Sequence, residues 1–189
     1  MFSYFYEHPL LDRPIKISYL YEYNAYYYFR GGIRIKNPNF TSIDRAILDL
    51  KKNKFKAIEL FYNKLVDIFD SFDDLDNIYF SAIPSHTADN NISAMHIIVE
   101  KLSEHYGKAD YSEVLQRYKT IPRLSDGGTR NMGVHINSIR INQNFNVEGK
   151  DFFLIDDITT SGSSMAAGVQ ILKIGGANKV TCLALSHKF

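Results

Sequence analysis

An α/β fold, with a parallel sheet flanked by helices, is predicted from two observations. A strand, a short polar loop and a helix follow one another twice, over residues 77–106 and 152–174, and repeated strand-to-helix units argue for parallel strands joined by crossovers. The run Phe152, Phe153, Leu154, Ile155 is apolar without a break, as a strand covered on both faces requires. At 189 residues, 45% of them apolar, the chain can bury the core of one domain. The pattern divides it into an N-terminal β-rich segment over 1–40 and an α/β domain over 41–189.

Taken in order, the first 36 residues are rich in aromatic rings, with Tyr19, Tyr21, Tyr23, Tyr26, Tyr27 and Tyr28 close together. Alternation over Ile15, Ile17, Tyr19 and Tyr21, then the runs Tyr26–Phe29 and Ile33–Ile35, predict two or three antiparallel strands, with Gly31 and Gly32 at a turn or bulge. Such rings suit either a platform that stacks a base or an ordinary half-exposed sheet or dimer surface. Asn39, Thr41 and Ser42 offer an N-cap to a helix carrying Ile43, Ala46, Ile47 and Leu50 on one face. A second helix from about Phe55 carries Ile58, Phe61, Leu65 and Ile68. Between them Lys51, Lys52, Lys54 and Lys56 read as a solvated corner, and Asp67 to Asp76 as a solvated acidic linker without the ligand order of a calcium loop.

Asn77–Ile83 is the first core strand, ending at Pro84, Ser85 and His86; Asp89 or Asn90 is placed to cap the helix that bears Ile92, Met95, Val99, Leu102 and Tyr106, and Gly107 stops it. Tyr111–Arg117 reads as a short helix or strand. The segment 119–133 has little periodicity, and a loop of that length in a compact domain suits a lid; it carries the cations Lys119, Arg123 and Arg130. A last buried strand spans Val180–Leu185.

Composition excludes several classes. Lys plus Arg number 22 against 21 Asp plus Glu, a formal charge of +1, so no global basic field points to nucleic acid. The one cysteine, Cys182, excludes an intrachain disulfide and a thiolate zinc cluster. The start, MFSYFYEHPLLDRP, has neither a basic region nor a long apolar one, and no run approaches the roughly 18 apolar residues of a membrane span; the expectation is a cytoplasmic protein with no membrane partner. Neither G-x-x-x-x-G-K-[ST] nor G-x-G-x-x-G occurs, HExxH is missing, and the six histidines do not cluster.

The chemistry concentrates at Phe152–Ser164. The apolar strand runs into Asp156 and Asp157, and Ile158 leads to Thr159, Thr160, Ser161, Gly162, Ser163 and Ser164, a small hydroxyl-rich loop before an amphipathic helix. Small side chains let backbone N–H groups converge on an anion, and the helix adds the positive end of its dipole. Two carboxylates beside a phosphate cradle suit a phosphate that carries a sugar, or a divalent metal.

This order resembles the 5-phosphoribosyl 1-pyrophosphate motif of type I phosphoribosyltransferases. Ile47–Phe55 is similar to the helix-plus-lysine segment of their ComF-like branch, and Ile83-Pro84 stands where its pyrophosphate loop begins. Arg117, Thr120, Leu124 and Arg130-Asn131 are similar to its flexible loop. The resemblance implies a type I phosphoribosyltransferase-like sheet under a small Tyr-rich β hood. It implies a ribose phosphate bound at Thr159–Ser164, by backbone amides from Thr160 to Ser164 and the hydroxyls of Thr160 and Ser164, and ribose hydroxyls held by Asp156 and Asp157 directly or through magnesium. Pyrophosphate would sit at Pro84, Ser85 and His86, a turn that in the family often has a cis peptide, with Arg123 or Arg130, or else Lys119, closing on the leaving group. The implied activity is a magnesium-dependent transfer of a phosphoribosyl group from phosphoribosyl pyrophosphate to a base or amine, with a homodimer as the family's habit.

The chain departs from that pattern in lacking the cysteine ribbon, a glutamine where Arg123 falls, the second proline of the pyrophosphate loop and the arginines usual after it. A non-catalytic sensor of a nucleotide or the activated sugar is the alternative these departures motivate. A competence-type, nucleic-acid-linked accessory role is a third reading, resting on the family's name and the lysines at 51–56.

Overall fold

The computed structural model describes residues 1–88, 92–122 and 131–189. In chain order the elements are β1 (Phe2–Tyr6), β2 (Ile15–Glu22), β3 (Tyr27–Arg30), β4 (Ile33–Lys36), α1 (Ser42–Leu50), α2 (Phe55–Phe69), β5 (Ile78–Ala82) and α3 (Ala94–His105). There follow β6 (Leu115–Arg117), α4 (Met132–Ile136), β7 (Ile139–Ile141), β8 (Asp151–Thr159), α5 (Ser163–Ile174) and β9 (Lys179–His187).

Five strands form a central sheet in the order β1-β2-β9-β8-β5. The last four run parallel, and β1 closes one edge antiparallel to β2. Helices cover both faces, and the period of two along the strands decides which side chain meets which helix. Phe153 and Ile155 of β8, with Leu183 and Leu185 of β9, join Ile47, Phe61, Leu65, Ile98 and Leu102 of α1 to α3. Phe152, Leu154, Cys182 and Ala184 point the other way, to Met165, Val169 and Leu172 of α5. The predicted α/β architecture is the one observed, because β8 and β9 are buried on both faces and their continuous apolar runs report that directly.

The N-terminus departs from expectation. The run 15–22 does not pair with the hairpin that follows it; β2 adds parallel to β9, with Ile17 opposite Cys182 and Tyr19 opposite Ala184. Ile17 and Tyr19 are buried there, a gain in apolar burial that the short hairpin cannot offer. Phe2–Tyr6, not foreseen as a strand, pairs with β2. Of the four N-terminal strands β3 and β4 form a separate hairpin, turning at Gly31 and Gly32, both at positive φ, as a two-residue turn of this twist requires.

The helix boundaries follow from local chemistry. Thr41 caps α1 in a reciprocal box: its hydroxyl accepts from the Asp44 N–H, and the Asp44 carboxylate accepts from the Thr41 N–H at 2.7 Å. Asp44 also accepts from the Asn24 N–H at 2.7 Å, which ties the approach to the hairpin onto α1. Along α2 the buried stripe is Ile58, Phe61, Leu65 and Phe69; Ile68, expected in it, is half-buried beside it. Ser93 caps α3, whereas Asp89 and Asn90, the caps expected from sequence, lie outside the described residues. Gly168 brings α5 close to the sheet: a Cβ there would stand 2.8 Å from Leu154 and 2.9 Å from Ile83.

No helix among the described residues is long and apolar enough to cross a membrane.

Candidate functional site

The parallel register of β5 and β8 determines what meets at the sheet's edge. Ala82 lies opposite Ile155, and the Ile83 N–H donates to the Ile155 carbonyl at 3.0 Å. The turn after β5 and the acid pair of β8 therefore emerge side by side at the carboxyl ends of neighbouring strands, the usual place for a ligand in such sheets. Between them lies a cavity of about 620 Å³.

Asp156, Asp157, Thr160, Ser161, Gly162, Ser163 and Ser164 line one side of it, and Pro84, Ser85 and His86 another. These sequence-predicted residues are brought together. Gly162 caps α5 at φ +85°, a left-handed turn that swings the chain from strand to helix and opens the first turn of α5 onto the cavity. The loop is knit by its own hydroxyls: Ser161 and Ser163 are 2.9 Å apart, and the Ser164 hydroxyl donates to Asp156 Oδ2 at 3.5 Å.

Thr159 has a different place. It is buried, and its hydroxyl pairs with Tyr4 at 2.7 Å, while Tyr6 reaches Ser163 at 3.3 Å. The N-terminal strand thus braces the loop from behind. The hood expected from the Tyr-rich segment is not over this cavity among the described residues: β1 and β2 lie in the sheet, and no residue of the β3–β4 hairpin lines the cavity. Lys119 also lies elsewhere, lining a neighbouring cavity of about 400 Å³ with Asn131 and Gly133. Arg123 and Arg130 lie outside the described residues. All described peptide bonds are trans, including the Pro84–His86 turn where the resemblance implied a cis bond.

Three contributors were not foreseen. Lys51, at the C-cap of α1, reaches across the cavity to Asp157 at 2.7 Å; the expected solvated corner is therefore partly a site wall. Burial opposes its charge, but Asp157, and then Asp156, outweigh that and hold the ammonium above its ordinary value. Arg117, at the end of β6, is buried and lines the cavity. Its Nε donates to the Ser85 carbonyl, and its Nη1 donates to the Ser138 hydroxyl at 2.6 Å. No carboxylate pairs with it among the described residues, and burial pushes its guanidinium down to about 10. His135 stands 3.5 Å from the same guanidinium; burial and then that cation push its imidazole down to about 4. The helix-plus-lysine segment was the signal for Lys51. Arg117 enters the sequence reading through its resemblance to a flexible-loop residue, whereas it stands at the end of β6 with its side chain buried.

Asp156 is the most perturbed acid. Burial and then the Asp157 carboxylate push it up to about 7, against the pull of Lys51, the Asp157 N–H and Ser164. The pair is an acceptor for hydroxyls. Among the described residues no group of three or more His, Cys, Asp or Glu is placed to hold a metal, and Asp156 and Asp157 are the acids that line the cavity. Two carboxylates fit magnesium only when ligand oxygens and water complete its shell, which is how that ion is commonly held. The site thus gathers the hydroxyl-rich loop at the start of α5, the acid pair and a buried arginine around one cavity.

No protein-family model matches the chain, and no curated protein matches it. Among solved structures it is similar to phosphoribosylpyrophosphate synthetase from Mycobacterium smegmatis, at 19% identity over 70% of this chain, with a TM-score of 0.40. The chain spans about a third, 33%, of that structure's length.

Proposed function

We propose that the cavity binds 5-phosphoribosyl 1-pyrophosphate and that the chain is a magnesium-dependent phosphoribosyltransferase of the type I, ComF-like kind, acting on a base or amine. The observation that carries this reading is the meeting of three elements in one cavity: the Thr160–Ser164 loop, the Asp156–Asp157 pair and the Pro84–His86 turn. Together they match a ligand with a phosphate at one end, a hydroxylated ring between and a diphosphate at the other. In this reading the loop amides hold the 5-phosphate, aided by the α5 dipole. Asp156 and Asp157 accept the ribose hydroxyls and face the positive charge that develops at the anomeric carbon. Arg117 holds the Ser85 carbonyl and so sets the turn that receives the diphosphate. Magnesium, held by Asp156 and Asp157 together with ligand oxygens, would supply neutralisation of the departing polyanion.

A second reading, a sensor that binds the same ligand without turnover, is favoured by the state of the diphosphate end. Arg117 is already committed to Ser85 and Ser138, and Lys119 lies outside the cavity.

A thermal-shift titration with phosphoribosyl pyrophosphate, with and without magnesium, tests the site. A saturable, magnesium-dependent rise is expected, and it should vanish in Asp156→Asn/Asp157→Asn; an unchanged rise in that variant removes the assignment. Pyrophosphate release with a panel of bases then separates the enzyme from the sensor.

A further inference from the structure

The β3–β4 hairpin takes no part in the central sheet or the cavity. Every residue of its two strands is exposed except the half-buried Ile35, and Phe29 and Ile33 are 73% and 68% exposed. A two-stranded hairpin is marginal by itself, and this one is secured at its base, where Tyr26 packs edge-on against Phe40 and lies beneath Arg45, 5.2 Å from the ring centre. The hairpin therefore presents Tyr27 near its base and Phe29 near its tip to solvent from an anchored stem.

Register sorts the side chains. Tyr27 is opposite Lys36 and Phe29 opposite Arg34, so these four share one face. The Arg34 guanidinium lies 3.8 Å from the centre of the Tyr27 ring. Two rings, two residues apart on one strand, are spaced by about 7 Å, and cations flank them. From Tyr23 through Ile43 the chain contains Arg30, Arg34 and Lys36 and no acid.

We propose that this face binds single-stranded nucleic acid without strong sequence preference, bases stacking on Tyr27 and Phe29 and phosphates meeting Arg34 and Lys36. Rings on a cationic face are the chemistry that unpaired bases on a polyanionic backbone require, and a duplex keeps its bases out of reach of such rings. A second copy fits less well: a two-fold interface would set this acid-free face against itself, bringing like charges together. The inference is independent of the reading of the cavity.

The test is fluorescence anisotropy of the full chain with labelled 20-nucleotide dT and rA strands, and a duplex of equal length, at 25 and 200 mM salt. Saturable binding is expected, tighter for the single strands and weaker at high salt. Tyr27→Ala/Phe29→Ala should weaken it at least tenfold, and Arg34→Gln/Lys36→Gln should reduce the salt slope by about one to one and a half. Should the alanine variant misfold, Tyr27→Leu/Phe29→Leu keeps the apolar bulk and removes the stacking faces; the same loss is expected. All variants should keep the thermal shift with phosphoribosyl pyrophosphate if wild type shows one. The proposal is overturned by no saturable binding at 25 mM salt, by equal affinity for duplex, or by full binding in the leucine variant. It is also overturned if the chain binds anionic vesicles or self-associates through these residues while ignoring the oligonucleotides.

Discussion

Adding one methyl group at Gly162 tests the link between the N-terminal strand and the anion loop. Gly162 sits at φ +85°, and a Cβ there would lie 2.6 Å from Ile17 Cδ1, 2.9 Å from the Tyr4 hydroxyl and 3.4 Å from the Tyr6 ring. The left-handed backbone costs an L-residue roughly 1–2 kcal/mol. The contacts add an overpacking cost of about 1–3 kcal/mol, because Ile17 is fully buried and the Tyr4 hydroxyl is held by Thr159. Gly162→Ala should therefore lose about 2–5 kcal/mol, measured by urea denaturation, and its thermal midpoint should fall by on the order of 4–20 °C. Ile17→Val removes the Cδ1 in the closest contact. Alone it should cost about 0.5–1.5 kcal/mol, but combined with Gly162→Ala it should recover part of the overpacking cost and leave the backbone cost. A loss below about 1 kcal/mol for Gly162→Ala, or a double variant that is simply the sum of the two singles, would refute the packing of β1 and β2 behind the loop.

Three further outcomes are expected. Arg117→Met should weaken binding of pyrophosphate by about tenfold or more in a calorimetric titration, and Arg117→Lys should fail to restore it, since an ammonium cannot reach Ser85 and Ser138 as the planar guanidinium does. His135 is held at about 4 in the folded chain, below its unfolded value near 6.5, so between those values the unfolded chain binds more protons. Stability should then fall as pH drops through that window, and chemical denaturation of His135→Gln should show a shallower fall than wild type. Asp44→Ala strands the N–H groups of Asn24 and Thr41; it should cost about 2–4 kcal/mol in urea denaturation, far more than the roughly 1 kcal/mol of an ordinary lost cap.

Local chemistry made much of the fold readable in advance. The runs at 152–155 and 180–185 became β8 and β9, and the turn at Gly31 and Gly32 and the stop at Gly107 follow from residues that need no distant partner. The N-terminal topology was not readable. Alternation over Ile15–Tyr21 specifies a strand with one buried side, but hairpin partner and sheet partner satisfy that pattern equally. The choice fell to the larger apolar surface offered by β9. Within the candidate site, the hydroxyl-rich loop and the acids were legible because they are contiguous. Lys51 and Arg117 were not read as partners of Asp157 and Ser85, since those contacts join residues 106 and 32 positions apart.

By itself the sequence determined the α/β class, the strand-acid-loop-helix order of Phe152–Ser164 and the turn at Pro84–His86, all consequences of side-chain period and backbone preference over short spans. Only the tertiary structure decided that the two loops share one cavity, that a lysine and a buried arginine complete its walls, and that two N-terminal tyrosines brace Thr159 and Ser163 from behind. Those facts depend on the parallel register of β5, β8, β9 and β2, which distant strands set by burying their apolar faces together, and no local pattern encodes which strand becomes the neighbour of which.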